Sequence, residues 1–118
     1  MKILIVEDLS DLRWALSEQF KDYGFEVVEA ENGEEGLKAL ENLSPVFVLT
    51  DIQMPKMNGV EFLKQARTKY PTLPIFVMTG FSPFTEKEIL ALGANGYFEK
   101  TDFAFTRFLG KKFGTLTA

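Results

Sequence analysis

The sequence contains no histidine and no cysteine among its 118 residues. Without cysteine there are no disulfides and no thiol chemistry, which suits a reducing compartment. Without histidine there is no imidazole to act as metal ligand, general base or phosphoryl carrier, so carboxylates, lysine or a partner must take any such role. A long apolar run is also missing, and the N-terminal segment MKILIVED has acids where a signal peptide would be apolar. We therefore expect a cytoplasmic chain without membrane contact.

Positive charge is also scarce. The chain has 13 Lys and Arg against 17 Asp and Glu, a net charge of -4, which argues against this domain binding nucleic acid through its phosphates. What is present is 46% hydrophobic and 25% charged residues, which fits one compact soluble domain with a single core. We predict that this domain spans residues 1–118.

Apolar runs of strand length alternate with stretches of helical spacing along the chain. The runs lie at 3–6, 25–28, 46–49, 75–78 and 97–98. Helices are predicted before Gly24, over 33–42, about 59–69 and 84–92, and after Asp102, which would cap the fifth. In that fifth helix most phenylalanines should lie in the core, and Gly110 and Gly114 should weaken its end. This alternation predicts an α/β fold, a mostly parallel five-stranded sheet with five helices on both faces.

Candidate site residues follow four of the five predicted strands. Glu7 and Asp8 follow the first, Asp51 the third, Thr79 the fourth and Lys100 the fifth. In an open parallel sheet, ligands bind outside the carboxyl ends of the strands. Taken singly, each residue is more simply a turn residue, a helix cap or a solvated charge.

Taken together, these residues predict a binding site. Three carboxylates at one edge repel each other unless a cation lies among them, and an all-oxygen ligand set favours Mg²⁺. A hydroxyl from Thr79 and an ammonium from Lys100 would suit the oxygens of a phosphoryl group. Glu29 ends the second strand, which we expect at the edge of the sheet and outside this site.

Four segments, ILIVED, LTDIQMPKMNGVEFL, IFVMTG and NGYFEK, resemble the response-regulator receiver domain of two-component signalling in their order and spacing. The resemblance covers the whole chain. It implies a flavodoxin-like, doubly wound sheet with strand order 2-1-3-4-5. It also implies an external phosphodonor, either a small acyl phosphate or the phosphohistidine of a sensor histidine kinase or phosphotransfer protein.

The resemblance also implies a role for each site residue. Asp51 would be the phosphoacceptor, and Thr79 and Lys100 would bind the phosphoryl oxygens. The Mg²⁺ ligands would be Glu7, Asp8, Asp51 and the backbone carbonyl of Gln53. The chemistry would be limited to Mg²⁺-dependent self-phosphorylation and slow autodephosphorylation, without conventional enzyme activity on a separate substrate.

Two further features concern switching and lifetime. Thr79 and Tyr97 match the conformational switch of the family, which would alter the face of the fourth helix, fifth strand and fifth helix for a downstream protein or a homodimer. Gln53 and Phe81 would flank the path of the hydrolytic water. Because Phe81 offers no base and no hydrogen bond to that water, we expect a long phosphoryl lifetime. The alternative is that Phe81 packs in its loop or contacts a partner.

One departure from the family pattern follows the lysine, where Thr101 replaces the usual cis-linked proline. A non-proline cis bond costs about 3 kcal/mol, so we expect a trans Lys100–Thr101 bond. The main alternative function is a phosphorylation-independent pseudo-receiver. A flavin-binding domain would need a Ser/Thr/Gly-rich loop where EDLSDLR stands, and an aspartyl hydrolase would need an acid in place of Gln53.

Overall fold

The structure is a computed structural model that describes residues 1–54, 56–80, 83–100 and 104–114. Three sequence predictions lie outside the described residues: the role of Phe81, the cap by Asp102 and the conformation of the Lys100–Thr101 bond. No helix within the described ranges combines the length and apolar character needed to cross a membrane.

Strands and helices alternate strictly along the chain. The strands are β1 (Lys2–Val6), β2 (Glu26–Ala30), β3 (Phe47–Asp51), β4 (Ile75–Thr79) and β5 (Gly96–Glu99). The helices are α1 (Ser10–Asp22), α2 (Gly33–Glu41), α3 (Gly59–Lys69), α4 (Glu86–Ala91) and α5 (Ala104–Phe113). All strand pairs are parallel, in the order β2-β1-β3-β4-β5. The predicted sheet and strand order are confirmed.

The sheet separates two apolar cores. Successive side chains of a strand point to opposite faces, so Leu4 and Val6 of β1 join the core under α2, α3 and α4, while Ile3 and Ile5 join the core under α1 and α5. Both faces of the central strands are therefore covered. As a result, a polar side chain of a central strand can reach solvent only where that strand ends.

Side-chain caps begin three of the helices. Asn32 and Asn58 each accept a hydrogen bond from the backbone N–H three residues on, at the starts of α2 and α3. Thr85 and Glu88 form a reciprocal capping box at the start of α4. That box moves the start of α4 to Glu86, two residues after the predicted start at Phe84, since the cap residue itself is extended.

The prediction that most phenylalanines of α5 lie in the core is confirmed for Phe105 and for Phe113, which packs against the same core. Phe105 and Leu109 are buried, but Phe108 is 52% exposed. Gly110 lies three residues before the last residue of the helix, and a side-chain carbon there would come within 2.5 Å of the Tyr23 ring. The glycine therefore allows α5 to pack closely against the end of α1.

Arg67 at the end of α3 fixes the turn between α4 and β5. Its guanidinium donates hydrogen bonds to the Gly93 carbonyl at 2.8 and 3.1 Å and to the Asn95 side chain at 2.9 Å. It also donates to the carbonyls of Tyr70 and Pro71. One side chain thus joins the turns that precede β4 and β5.

Candidate functional site

Asp51 is the last residue of β3 and is 5% exposed. Its Oδ1 accepts a hydrogen bond from the Ile52 N–H at 2.7 Å, which orients the carboxylate. Gly59, the first residue of α3, passes directly over this point, since a side-chain carbon there would collide with the carbonyl oxygen of Asp51. The Gly59 N–H donates to the Ile52 carbonyl at 2.7 Å. The Asn58-Gly59 start of α3 therefore fixes the backbone that carries Asp51.

Glu7 follows β1 and is completely buried. Its Oε1 accepts a hydrogen bond from Lys100 Nζ at 2.6 Å, and the same ammonium donates to Asp51 Oδ2 at 2.8 Å. The backbone N–H of Lys100 donates to the Thr79 carbonyl at 3.0 Å. The ends of β1, β3, β4 and β5 are thus joined around one lysine.

The carboxylates of Glu7, Asp8 and Asp51 each offer one oxygen, and these three oxygens lie within 4.8 Å of one another. When all three are ionised, they and Lys100 carry a net charge of about -2, which one divalent cation neutralises. The donors are all hard oxygens, the type that Mg²⁺ prefers. The residues present therefore fit Mg²⁺.

Burial changes the ionisation of the site. Desolvation of Glu7, together with the nearby Asp51, raises the pKa of Glu7 from 4.5 to about 8, although Lys100 opposes the shift. Burial alone would lower the pKa of Lys100, but hydrogen bonds to Asp51 and Glu7 outweigh it and hold that pKa above its ordinary value. The lysine is therefore cationic at neutral pH, and burial disfavours ionisation of Glu7 until a further cation compensates its charge.

A small open cleft gives access to the carboxylates. Its volume is about 230 Å³ and its lining residues are Asp8, Leu9, Asp51, Gln53, Gly80 and Lys100. Gln53 is exposed there, two residues after Asp51. A larger cleft of about 570 Å³ lies at the other end of the strands, between segments 40–45 and 69–74, away from the acids.

Thr79 and Tyr97, the proposed switch residues, lie on neighbouring strands. Thr79 is the last residue of β4 and is 4% exposed, one register step beyond Met78, which pairs with Asp51. Tyr97 pairs with Val77 and is partly buried. Burial, followed by the charges of Glu99 and Glu86, raises the pKa of Tyr97, so its phenol is neutral at physiological pH.

The helix-cap alternative for Glu7 and Asp8 is not observed. The residue at the cap position of α1 is Leu9, and it makes no side-chain cap hydrogen bond. The acids face the site instead.

Sequence reasoning missed Arg13, which donates a hydrogen bond to the Glu7 carbonyl at 2.7 Å and forms an ion pair with Glu29 at 3.0 Å. No local motif marks this pair, because the two residues meet only when α1 folds against β2. Once Arg13 is assigned to α1 and Glu29 to β2, only their opposite charges indicate that the two side chains form a pair.

Comparison with known proteins identifies relatives of this chain. Residues 3–108 match the family model described as the response regulator receiver domain. The chain is 39% identical over 80 residues to the DNA-binding transcriptional regulator NtrC of Escherichia coli, a match covering 68% of this chain and 17% of NtrC. It is 34% identical to the regulatory protein PhoP of Bacillus subtilis over 84% of this chain and 42% of that protein. The chain thus spans less than half the length of these relatives.

Two solved structures have the same architecture. Response regulator TrrA from Thermotoga maritima, crystallised in complex with Mg²⁺-BeF, is 31% identical, with a TM-score of 0.85 over 94% of this chain and 96% of that one. A CheY-like receiver domain from Methanospirillum hungatei is 30% identical, with a TM-score of 0.84 over 94% and 88% of the two chains.

Proposed function

This chain belongs to the response-regulator receiver domain family, and from that premise we propose that it accepts a phosphoryl group on Asp51 in a Mg²⁺-dependent reaction. The observation that carries the proposal is the position of Lys100, whose ammonium bonds to both Asp51 and the buried Glu7. An ion pair that served stability alone would not need a third carboxylate, the half-buried Asp8, beside it in the lining of the cleft.

Mg²⁺ would be held by Glu7, Asp8, Asp51 and the backbone carbonyl of Gln53, and would neutralise charge on the transferring phosphoryl group. The cluster of three acids within 4.8 Å supports this assignment. TrrA, a relative of similar fold, was crystallised with Mg²⁺-BeF. The other steps of the proposed reaction would be carried out by side chains of this protein.

In the proposed reaction, a carboxylate oxygen of Asp51 attacks the phosphorus of the donor. A P–O bond forms to Asp51 as the P–N bond of a phosphohistidine, or the P–O bond of an acyl phosphate, breaks, and the leaving group keeps the bonding electrons. Lys100 already contacts Asp51 and would move its hydrogen bond to a phosphoryl oxygen. The hydroxyl of Thr79 would donate to another.

Receiver domains of response regulators interact with histidine kinases or phosphotransfer proteins. We propose that such a partner binds on the side of the molecule where the cleft beside Asp51 opens. For the response, we propose the face of α4, β5 and α5 as the surface for a downstream protein or a second copy. Leu90 and Phe108 are exposed there, 40% and 52%, beside a groove of about 310 Å³ that Tyr97 lines. Exposed apolar side chains next to a groove suit a protein contact.

The nucleophile is tested by incubating the protein with acetyl phosphate and Mg²⁺ and following phosphoryl incorporation by intact-protein mass spectrometry. Asp51→Asn should reduce incorporation to background, because an amide oxygen is a poor nucleophile. Asp8→Ala should reduce the rate by at least about tenfold at limiting Mg²⁺ through loss of a metal ligand. Asp22→Asn, at an exposed acid of α1, is the matched control and should label like the parent.

If Asp51→Asn is labelled as fully as the parent protein, Asp51 is not the nucleophile. A parent protein that accepts no phosphoryl group from acetyl phosphate or from a histidine kinase would favour the phosphorylation-independent interaction module instead.

A further inference from the structure

The guanidinium of Arg13 lies behind the acids rather than among them. Arg13 is in the first turns of α1, and its side chain, 14% exposed, folds back toward the end of β1. Nη1 donates to the Glu7 carbonyl at 2.7 Å and Nε to Glu29 Oε1 at 3.0 Å. This side chain therefore contacts the main chain between two of the three acids without touching their carboxylates.

The peptide that joins Glu7 to Asp8 lies just beyond the sheet. The registers of β1 with β2 and with β3 both end at Val6. The Glu7 N–H still donates to the Ala30 carbonyl at 3.0 Å, but the Glu7 carbonyl has passed the last strand pair. Arg13 supplies its hydrogen bond, and a buried carbonyl without such a partner would rotate toward water.

The orientation of that carbonyl determines the direction of Asp8. The carbonyl of Glu7 and the N–H of Asp8 belong to one planar peptide unit. The Asp8 N–H donates to Glu7 Oε2 at 3.1 Å, so rotation of the peptide would disturb both acids at once. A bond on the carbonyl side holds the unit in the position that brings Glu7, Asp8 and Asp51 together.

Glu29 holds the guanidinium in place. It lies on β2 and is itself outside the acid cluster, and its Oε1 fixes Arg13 Nε while Nη1 points to Glu7. Because the hydrogen bond from Nε to Glu29 already orients the planar guanidinium, the hydrogen bond from Nη1 to the Glu7 carbonyl costs little further conformational entropy.

We propose that Arg13, oriented by Glu29, is a positioning residue for the Mg²⁺ site, acting through the Glu7–Asp8 peptide. This inference rests on the proposed function. Groups that orient the ligands of a metal, without binding the metal themselves, typically change its affinity by about 10- to 100-fold when removed. Arg13 acts on the main chain rather than on a carboxylate, so we place its effect at about three- to tenfold.

The test measures the dissociation constant of Mg²⁺ directly, by calorimetry on the full chain well below its unfolding temperature. Arg13→Met keeps the aliphatic stem and loses the donors, and should raise that constant about three- to tenfold. Arg13→Lys keeps one donor and should fall between parent and Arg13→Met. Glu29→Gln should raise it about twofold, since the Nη1 bond persists. Lys21→Met, which breaks an exposed ion pair with Glu18 on the same helix, should leave it unchanged.

A second readout separates positioning from general destabilisation. With acetyl phosphate as donor, Arg13→Met should need more Mg²⁺ for half-maximal labelling but reach the parent's maximal rate at saturating Mg²⁺. An unchanged Mg²⁺ dissociation constant in Arg13→Met, with the parent binding normally, would overturn this inference alone. A parent that binds no Mg²⁺ would overturn the proposed function, and this inference with it.

Discussion

Among the residues that the structure describes, Glu7 is the one whose pKa the fold shifts most. Its pKa of about 8 lies above its unfolded value of 4.5, so the folded state binds a proton that the unfolded state releases between these pH values. The stability that this proton confers is fully present below about pH 4.5 and is lost as the pH rises through about 8. Lys100 has a pKa raised above 10.5, and its contribution changes only above this window.

We therefore predict that the metal-free protein loses stability as the pH rises from about 5 to about 8.5. Because Mg²⁺ binds the ionised carboxylates, its affinity should rise over the same range. Thermal unfolding with chelator, and with Mg²⁺, measures both effects. Glu7→Gln, which cannot ionise, is the control and should flatten the pH dependence of the metal-free protein; an equally steep dependence in that variant would assign the titration to another group.

For single residues, the sequence predicted proximity correctly where the order of the strands determines which residues are close. Glu7, Asp8, Asp51 and Lys100 each lie at or just after the end of a strand. The carboxyl ends of neighbouring parallel strands meet at one edge, so the proximity of these residues could be predicted. Arg13 lies within a helix, where its orientation depends on how α1 packs. Its contact with the Glu7 carbonyl required coordinates.

Among the elements, α5 best illustrates a conflict between local preference and packing. Gly110 costs helix stability locally, about 1 kcal/mol relative to Ala. Its neighbour in space is the Tyr23 ring, 2.5 Å from the place where a side-chain carbon would stand. The atoms met are those of the ring nearest the Tyr23 backbone, which cannot easily move aside, so the overpacking cost should lie in the upper part of the usual range, at about 2–3 kcal/mol. This cost exceeds the gain in helix propensity.

Gly110→Ala should accordingly lower the free energy of unfolding by about 1–2 kcal/mol, despite the better helix former. Denaturant unfolding measures the change. Removing the ring in Tyr23→Ala provides the second edge of a double-mutant cycle, in which Gly110→Ala should become neutral or stabilising. If Gly110→Ala stabilises the protein with Tyr23 intact, the close contact between α1 and α5 is not the reason for the glycine.

The sequence predicted α3 over about 59–69, and the helix spans Gly59–Lys69, because Asn58 caps one end and Pro71 lies beyond the other. For α4 the same reasoning started the helix too early. Both Pro83 and Thr85 are good starting residues, and only the observed capping box between Thr85 and Glu88 decides between them.

At the scale of the whole molecule, the described residues form two cores on one sheet, and the aromatic contacts of the core under α1 and α5 are continuous. Neighbouring rings of Phe20, Phe47, Phe76, Phe98 and Phe108 have centroids 5.7 to 6.0 Å apart. The series begins in the core under α1 and ends at an exposed ring on α5. The proposed partner surface is thus an extension of the core rather than a separate patch.

We predict that beryllium fluoride with Mg²⁺, an analogue of the phosphoryl group, changes amide exchange mainly in α4, β5 and α5. A two-state shift of about 1–3 kcal/mol would change exchange rates roughly 5- to 150-fold. Hydrogen–deuterium exchange with mass spectrometry resolves these elements. Asp51→Asn should show no change, and a response confined to α2 would mean that a different surface transmits the signal.

The hydrogen bonds of Arg67 give α4 an asymmetric freedom of movement. The turn that follows the helix is tied to the end of α3 through Gly93 and Asn95, and at the start of the helix Thr85 and Glu88 form a capping box within the segment 85–88. Sliding the whole helix would break the bonds to Arg67, but pivoting about Gly93 would keep them. A movement of α4 that keeps these bonds should therefore be smallest at Gly93 and increase toward Thr85. Such a movement is a rotation of the helix about its C-terminal end.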